Sequence, residues 1–219
     1  PQGLAGTLRP YQARGLSWLA FLRRWGLGAC LADDMGLGKT IQTLTFLQYM
    51  KEKGHKGPNL IIVPTSVLPN WEREAAKFVP DLRRLVIYGA RREGMFKQIK
   101  DADLVVTTYA LLRRDLDELL KQEFNSIILD EAQNIKNPNT ITARSVRRLS
   151  AKQRICLSGT PIENNLLELW SLFEFLMPGF LGAQQSFLRG IVRPIKDGDQ
   201  DSLNYLRNRV KPFILRRTK

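Results

Sequence analysis

The sequence predicts an α/β domain: a mostly parallel sheet with helices on both faces, continued at its C-terminal end by a helical extension. Three observations point there. Short apolar runs, several rich in Val and Ile and too short for helices, alternate with amphipathic stretches from residue 29 to residue 157. Beyond Pro161 that alternation gives way to helical patterning, with no strand run before 213–215. Between the first apolar run and the next helical stretch lies Gly36-Leu37-Gly38-Lys39-Thr40, a glycine-rich turn in strand–loop–helix order.

Taken in order, the apolar runs at 29–32, 60–63, 85–88, 104–107, 127–129 and 154–157 are expected strands. The stretches 11–25, 39–53, 66–78, 109–121 and 139–149 are expected helices. Thr65 or Ser66 is placed to cap the third of these, and Asn137-Pro138 breaks the chain before the fifth. In the extension, 164–177 reads as one amphipathic helix stopped by Pro178-Gly179, and two or three helical pieces follow through 184–210. Sheets of this kind carry their sites at the carboxyl ends of strands, so the residues that close each run are the ones to inspect.

Composition narrows the chemistry. The 219 residues are 43% hydrophobic, enough for one large core, and no run of 18 apolar residues suggests a membrane span. Lys and Arg number 34 against 21 acids, a formal charge of +13 that favours a polyanionic partner, although a generally basic surface accounts for it equally well. The pairs Arg23-Arg24, Arg83-Arg84, Arg91-Arg92, Arg113-Arg114, Arg147-Arg148 and Arg216-Arg217 are dispersed, as on a folded basic face. Cys30 and Cys156 sit far apart inside apolar runs and read as buried free thiols. His55 is the sole histidine, which removes His-based metal sites and His-dependent triads. The start at Pro1 and the end at Lys219 are both expected to be interior points of a longer protein.

The segment Asp33-Asp34-Met35-Gly36-Leu37-Gly38-Lys39-Thr40 has the arrangement that phosphate binding requires. Glycines let successive backbone N–H groups curl around an anion, and the helix N-terminus adds partial positive charge. Lys39 is then placed for the β- and γ-phosphates of ATP and the Thr40 hydroxyl for Mg²⁺. One position departs from the general pattern: Asp33 stands where such loops carry a Gly. At the end of another run, Asp130-Glu131 supplies two carboxylates, one suited to Mg²⁺ and one to the attacking water. By itself that pair reads as a solvated loop; together with Lys39 and Thr40 it reads as a catalytic set. A third loop, Ser158-Gly159-Thr160-Pro161, also follows a run and taken alone is an ordinary turn.

Together these segments resemble the helicase-like superfamily that includes the DEAD-box helicases, and within it the Swi/Snf-type ATPases. The likeness runs through Leu8-Arg9-Pro10-Tyr11-Gln12, the loop ending in Lys39-Thr40, and Pro64-Thr65-Ser66 continuing to Trp71. It goes on through Thr107-Thr108-Tyr109, Asp130-Glu131-Ala132-Gln133, Ser158-Gly159-Thr160-Pro161 and Leu215-Arg216-Arg217-Thr218-Lys219. The resemblance implies the N-terminal, RecA-like lobe of an ATP-dependent double-stranded-DNA translocase or remodelling motor. The lobe would occupy 1–163, a helical extension 164–212, and the start of a connection to a second lobe 213–219. It implies that Gln12 contacts adenine and that Met35, Gly36, Leu37, Gly38, Lys39 and Thr40 bind ATP. Lys39, Asp130 and Glu131 would be catalytic, with Thr40 and Asp130 on Mg²⁺. Pro64, Thr65, Ser66, Thr107 and Thr108 would line the DNA backbone. Gln133, Ser158, Gly159 and Thr160 would couple nucleotide state to DNA grip, with Gln133 replacing the His of many relatives. A second lobe would supply an arginine finger, whose absence typically costs on the order of 10³–10⁵ in turnover. This chain alone is therefore expected to bind nucleotide weakly and to hydrolyse very little. An RNA or DNA helicase lobe and a non-hydrolysing nucleic-acid-binding module are the alternatives. The resemblance also places the protein inside a cell, in bacterial cytoplasm with the nucleoid or in a nucleus, and away from membranes.

Overall fold

Alternate residues of the strands enter two different cores, as a sheet buried on both faces requires. In β1 (Ala29–Leu31), Ala29 and Leu31 face one core and Cys30 the other. In β2 (Asn59–Val63), Ile61 and Val63 are set against Leu60 and Ile62. The same division runs through β4 (Leu104–Thr108), β5 (Glu123–Leu129) and β6 (Ser150–Leu157). The edges are β3 (Arg84–Val86) and β7 (Ile214–Leu215). This computed structural model describes residues 1–159 and 165–219. Among them the seven strands form one sheet in the order β3-β4-β2-β5-β6-β1-β7, every pairing parallel.

Helices cover both faces. α1 (Pro10–Arg24), α2 (Lys39–Glu52) and α3 (Leu68–Phe78) contribute Leu19, Phe46 and Trp71 to one core. α4 (Tyr109–Arg114), α5 (Leu116–Leu120), α6 (Ile141–Arg148) and α7 (Leu166–Leu176) contribute Leu112, Leu119, Val146 and Phe173 to the other. Burying such a side chain contributes about 1.5–3 kcal/mol, so the two faces together dominate the stability of the sheet. Beyond α7, α8 (Gln184–Phe187) passes through a π-wound turn, Leu188–Val192, into α9 (Arg193–Lys196), and α10 (Gln200–Val210) follows. Phe187, Val192, Leu206 and Val210 share the core of α7. Phe173, Phe180 and Phe213 pack as a ring cluster with centroids 5.2–6.4 Å apart, joining this region to the residues just before β7.

The α/β class and the central strands match the expectation from sequence, and the differences have local causes. β5 and β6 each begin four residues earlier than their apolar runs, in polar stretches that pairing satisfies. In β5, for instance, Asn125 Nδ2 donates to the Lys56 and Gly57 carbonyls at 2.6 and 3.2 Å. The expected 109–121 helix is two, divided at Asp115, whose carboxylate accepts from Arg92 at 2.7 and 2.8 Å. Neither Thr65 nor Ser66 caps α3: they form a 3₁₀ turn, Thr65–Val67, and α3 starts at Leu68. A long 3₁₀ segment, Arg92–Asp101, stands where no element was expected. Residues 213–219, expected to begin a connection to a second lobe, first add β7 to the sheet beside β1.

Candidate functional site

The carboxyl ends of β1, β6 and β5 bring three separate loops to one edge of the sheet. After β1, the chain turns through Gly36 and Gly38 at φ of 85° and 80°. Only glycine adopts that conformation without strain, and it turns the loop into the N-terminus of α2. Lys39 reaches back into the curl, its Nζ donating to the Asp33 carbonyl at 2.6 Å. Met35 is exposed and Thr40 partly exposed at the mouth. From β6, Ser158 is buried with its N–H donating to the Leu31 carbonyl at 3.1 Å. Gly159 lies against the phosphate loop: a Cβ there would stand 3.1 Å from Met35 Cγ and 3.7 Å from Lys39 Nζ. Thr160, expected beside them, lies outside the described residues.

The acidic pair closes β5. Asp130 accepts from the Trp71 indole N–H at 2.7 Å and from the Glu131 N–H at 2.9 Å, while the Tyr109 hydroxyl donates to the Asp130 carbonyl at 2.6 Å. Burial pushes the Asp130 carboxyl up from its ordinary range, against the Trp71 and Glu131 hydrogen bonds, and the Glu131 charge adds to the rise. Lys39 opposes it electrostatically, which ties the carboxylate to the phosphate loop. A partly buried carboxylate whose charge is costly is suited to a bound cation. Glu131 itself adopts φ of 48°, the one left-handed non-glycine among the described residues, a conformation that costs on the order of 1 kcal/mol or more and clusters at functional sites. Its Oε2 accepts from Gln133 Nε2 at 2.7 Å, and its carbonyl accepts from Asn134 Nδ2 at 2.8 Å. Gln133 Oε1 is buried without a hydrogen-bond partner among the described residues.

Residues 11–219 match the family described as the SNF2-related domain. The chain belongs to this family. A solved structure of the Sulfolobus solfataricus SWI2/SNF2 ATPase core in complex with dsDNA superposes with a TM-score of 0.94 at 46% identity, covering 99% of this chain and 46% of that one. The provisionally named ATP-dependent helicase/translocase YwqA of Bacillus subtilis is 51% identical over 219 residues, 98% of this chain and 24% of the relative. The TATA-binding protein-associated factor MOT1 of Saccharomyces cerevisiae is 40% identical over all of this chain and 13% of its own length. This chain thus spans less than half of each of these proteins.

Within this SNF2-related domain, Gln12 is buried against the phosphate loop: Nε2 donates to the Leu37 carbonyl at 3.3 Å and Oε1 accepts from the Arg9 N–H at 2.9 Å. The Tyr11 hydroxyl donates to the same Leu37 carbonyl at 3.0 Å. Pro64, Thr65 and Ser66 lie at the end of β2 on the same sheet edge, Thr65 and Ser66 exposed. Thr107 and Thr108 do not line a surface. Both are 1% exposed; Thr107 Oγ1 donates to the Ile87 carbonyl at 3.1 Å, and Thr108 Oγ1 accepts from the Leu111 N–H at 3.3 Å as the cap of α4. Their hydroxyls are hydrogen-bonded inside the fold. Sequence reasoning gave no role to Trp71, Tyr109 and Arg217. Trp71 closes the run from Pro64, Tyr109 follows Thr107-Thr108, and Arg217 lies in the terminal Leu-Arg-Arg-Thr-Lys, so the signal was present without its geometry.

Proposed function

We propose that this chain is the ATP-binding lobe of an ATP-dependent double-stranded-DNA translocase or remodelling motor, with hydrolysis completed by a second lobe. What supports the reading most is one juxtaposition: Lys39 of the phosphate loop, Gly159 of the β6 loop and the partly buried Asp130 at the end of β5 converge at one sheet edge, in a chain 46% identical to an ATPase core bound to dsDNA. Met35–Thr40 hold the phosphates, with Gln12 at the adenine side and Lys39 neutralising the charge. Thr40 and Asp130 hold Mg²⁺, which supplies charge stabilisation at the transferring phosphoryl group. Glu131, turned by its strained backbone and held by Gln133, orients the attacking water. Gln133, Ser158, Gly159 and Thr160 link the state of the site to DNA contact. Pro64, Thr65 and Ser66 meet the DNA backbone, with contacts to phosphate that are largely independent of sequence. Residues 1–163 form the lobe, 164–212 a packed extension, and 213–219 the approach to the second lobe. No helix among the described residues is long and apolar enough to cross a membrane, and the reading places the protein inside the cell with its DNA.

Titration of the chain with a fluorescent ATP analogue and, separately, with duplex DNA tests the assignment of the lobe. Lys39→Ala is expected to weaken nucleotide binding by roughly 100-fold, the scale of removing a charge-assisted hydrogen bond from a preorganised site, and to leave DNA affinity within twofold. Equal loss of both ligands would contradict it, since Lys39 would then serve the fold rather than the nucleotide.

A further inference from the structure

Two side chains of the sequence's distinctive segments remain without a role: Asp33, at a position where phosphate loops carry Gly, and Arg217 in the terminal Leu215-Arg216-Arg217-Thr218-Lys219. The fold joins them. Asp33 is fully buried at the end of β1, and Arg217, just past β7, pairs with both of its oxygens, Nε meeting Oδ1 at 2.8 Å and Nη2 meeting Oδ2. The same Nη2 donates to Gln42 Oε1 on α2 at 2.7 Å, and Nη1 donates to the Tyr11 carbonyl on α1. The guanidinium carbon also lies 5.1 Å from the centre of the Tyr11 ring. Gln42 Nε2 continues the network to Asp33 Oδ2 at 3.2 Å and to the Gly38 carbonyl at 3.1 Å. Backbone bonds flank it, Ala32 N–H to the Leu215 carbonyl at 2.8 Å and Asp34 N–H to the Arg217 carbonyl at 3.0 Å.

Gly15 bears independent witness. It sits inside α1, where Ala is favoured by about 1 kcal/mol, yet a Cβ there would come within 2.1 Å of Gln42 Oε1 and 3.1 Å of Arg217 Nη2. The helix gives up propensity to let this network pass. One guanidinium therefore fastens α1, α2 and the first residue of the phosphate loop, and the carbonyl of that residue is the one that receives Lys39.

We propose that Arg217 is a positioning residue of the phosphate loop: by clamping Asp33 and Gln42 it preforms the curl around Lys39, and it makes nucleotide affinity depend on the docking of β7 against β1. Binding then proceeds without first ordering the loop, the benefit of a site whose supporting side chains are locked. Without Arg217, Asp33 is a buried carboxylate with no cation, and the loop entrance shifts to hydrate it. The inference rests on the nucleotide-binding reading above.

The test is nucleotide affinity, measured by titration of the chain with the fluorescent ATP analogue, alongside thermal melting. Arg217→Ala is expected to weaken affinity roughly 10–100-fold, the range for removing a group that orients a first ligand. Millimolar guanidinium should restore part of the loss, and equimolar sodium salt should not. Arg217→Lys, which keeps the charge on Asp33 but cannot span Gln42 and Tyr11, should fall between. Should Arg217→Ala fail to fold, Gly15→Ala serves in its place, since it crowds the network while leaving every charge present and is expected to weaken affinity in a chain that still melts cooperatively. Wild-type affinity in a folded Arg217→Ala, Arg217→Lys or Gly15→Ala chain overturns the proposal while leaving the nucleotide site standing. A wild-type chain that binds no nucleotide, or binds it equally with Lys39→Ala, overturns both readings.

Discussion

Asp103 shows what a single carboxylate does for this fold. It joins the base of β3 to that of β4, accepting from Lys51 Nζ at 2.9 Å and from Arg83 N, Nε and Nη2 at 2.9, 3.1 and 3.0 Å. Burial pushes its carboxyl up, but the Arg83 and Lys51 hydrogen bonds outweigh that and hold it at about 2. A carboxyl depressed on folding stabilises the native state above its unfolded value near 4, and that contribution is lost as pH falls from about 4 to about 2. The expected size is ~1–2 kcal/mol, reduced from a direct conversion of the shift because both cationic partners are substantially solvent-exposed. Urea unfolding from pH 7 to pH 2 should show the wild type losing this margin over Asp103→Asn across that interval; parallel curves would contradict it. At this scale the sequence was legible where chemistry forces a residue type. Lys39, Asp130 and Glu131 needed no structure to be singled out. Asp33 and Arg217 were not paired, because 184 residues separate them and only the parallel placement of β7 beside β1 brings them together.

Elements were legible to the extent that burial is written in apolar runs. Val and Ile announced β2 and β4, whereas the first residues of β5 and β6 are polar and were hidden by hydrogen bonds that no periodicity reports. The 109–121 stretch looks helical throughout, yet Asp115 diverts to Arg92 and divides it. Thr108 is the start signal of the first half, and its side chain caps α4. Thr108→Val is therefore expected to cost about 1 kcal/mol, or ~2–4 °C in melting temperature for a chain of this size. Duplex-DNA affinity should stay within twofold, and Thr108→Ser should restore stability. A large loss of DNA affinity with unchanged melting would assign Thr108 to DNA contact instead of capping.

At the scale of the molecule, the sheet order sets the site. Because β1, β6 and β5 are neighbours, their carboxyl-end loops meet on one edge, with the end of β2 next along. The helices α7 to α10 share a core with β1, β5 and β6, so the loop-bearing strands are braced from behind by the part of the chain whose pattern said least about function. The excess of 34 Lys and Arg over 21 acids is spread over this framework and suits a partner read by its phosphates. Of these relatives the chain covers 46% of one and 13% of another, so they carry segments this chain does not span. Whether the chain is one lobe of a duplex-DNA-driven ATPase is decided by ATP turnover with and without double-stranded DNA, in this chain and in a longer one extended beyond Lys219. Stimulation is expected in the extended chain alone, abolished by Glu131→Gln. Robust stimulation of the 219-residue chain, or stimulation of the extended chain by RNA and not by duplex DNA, would contradict it.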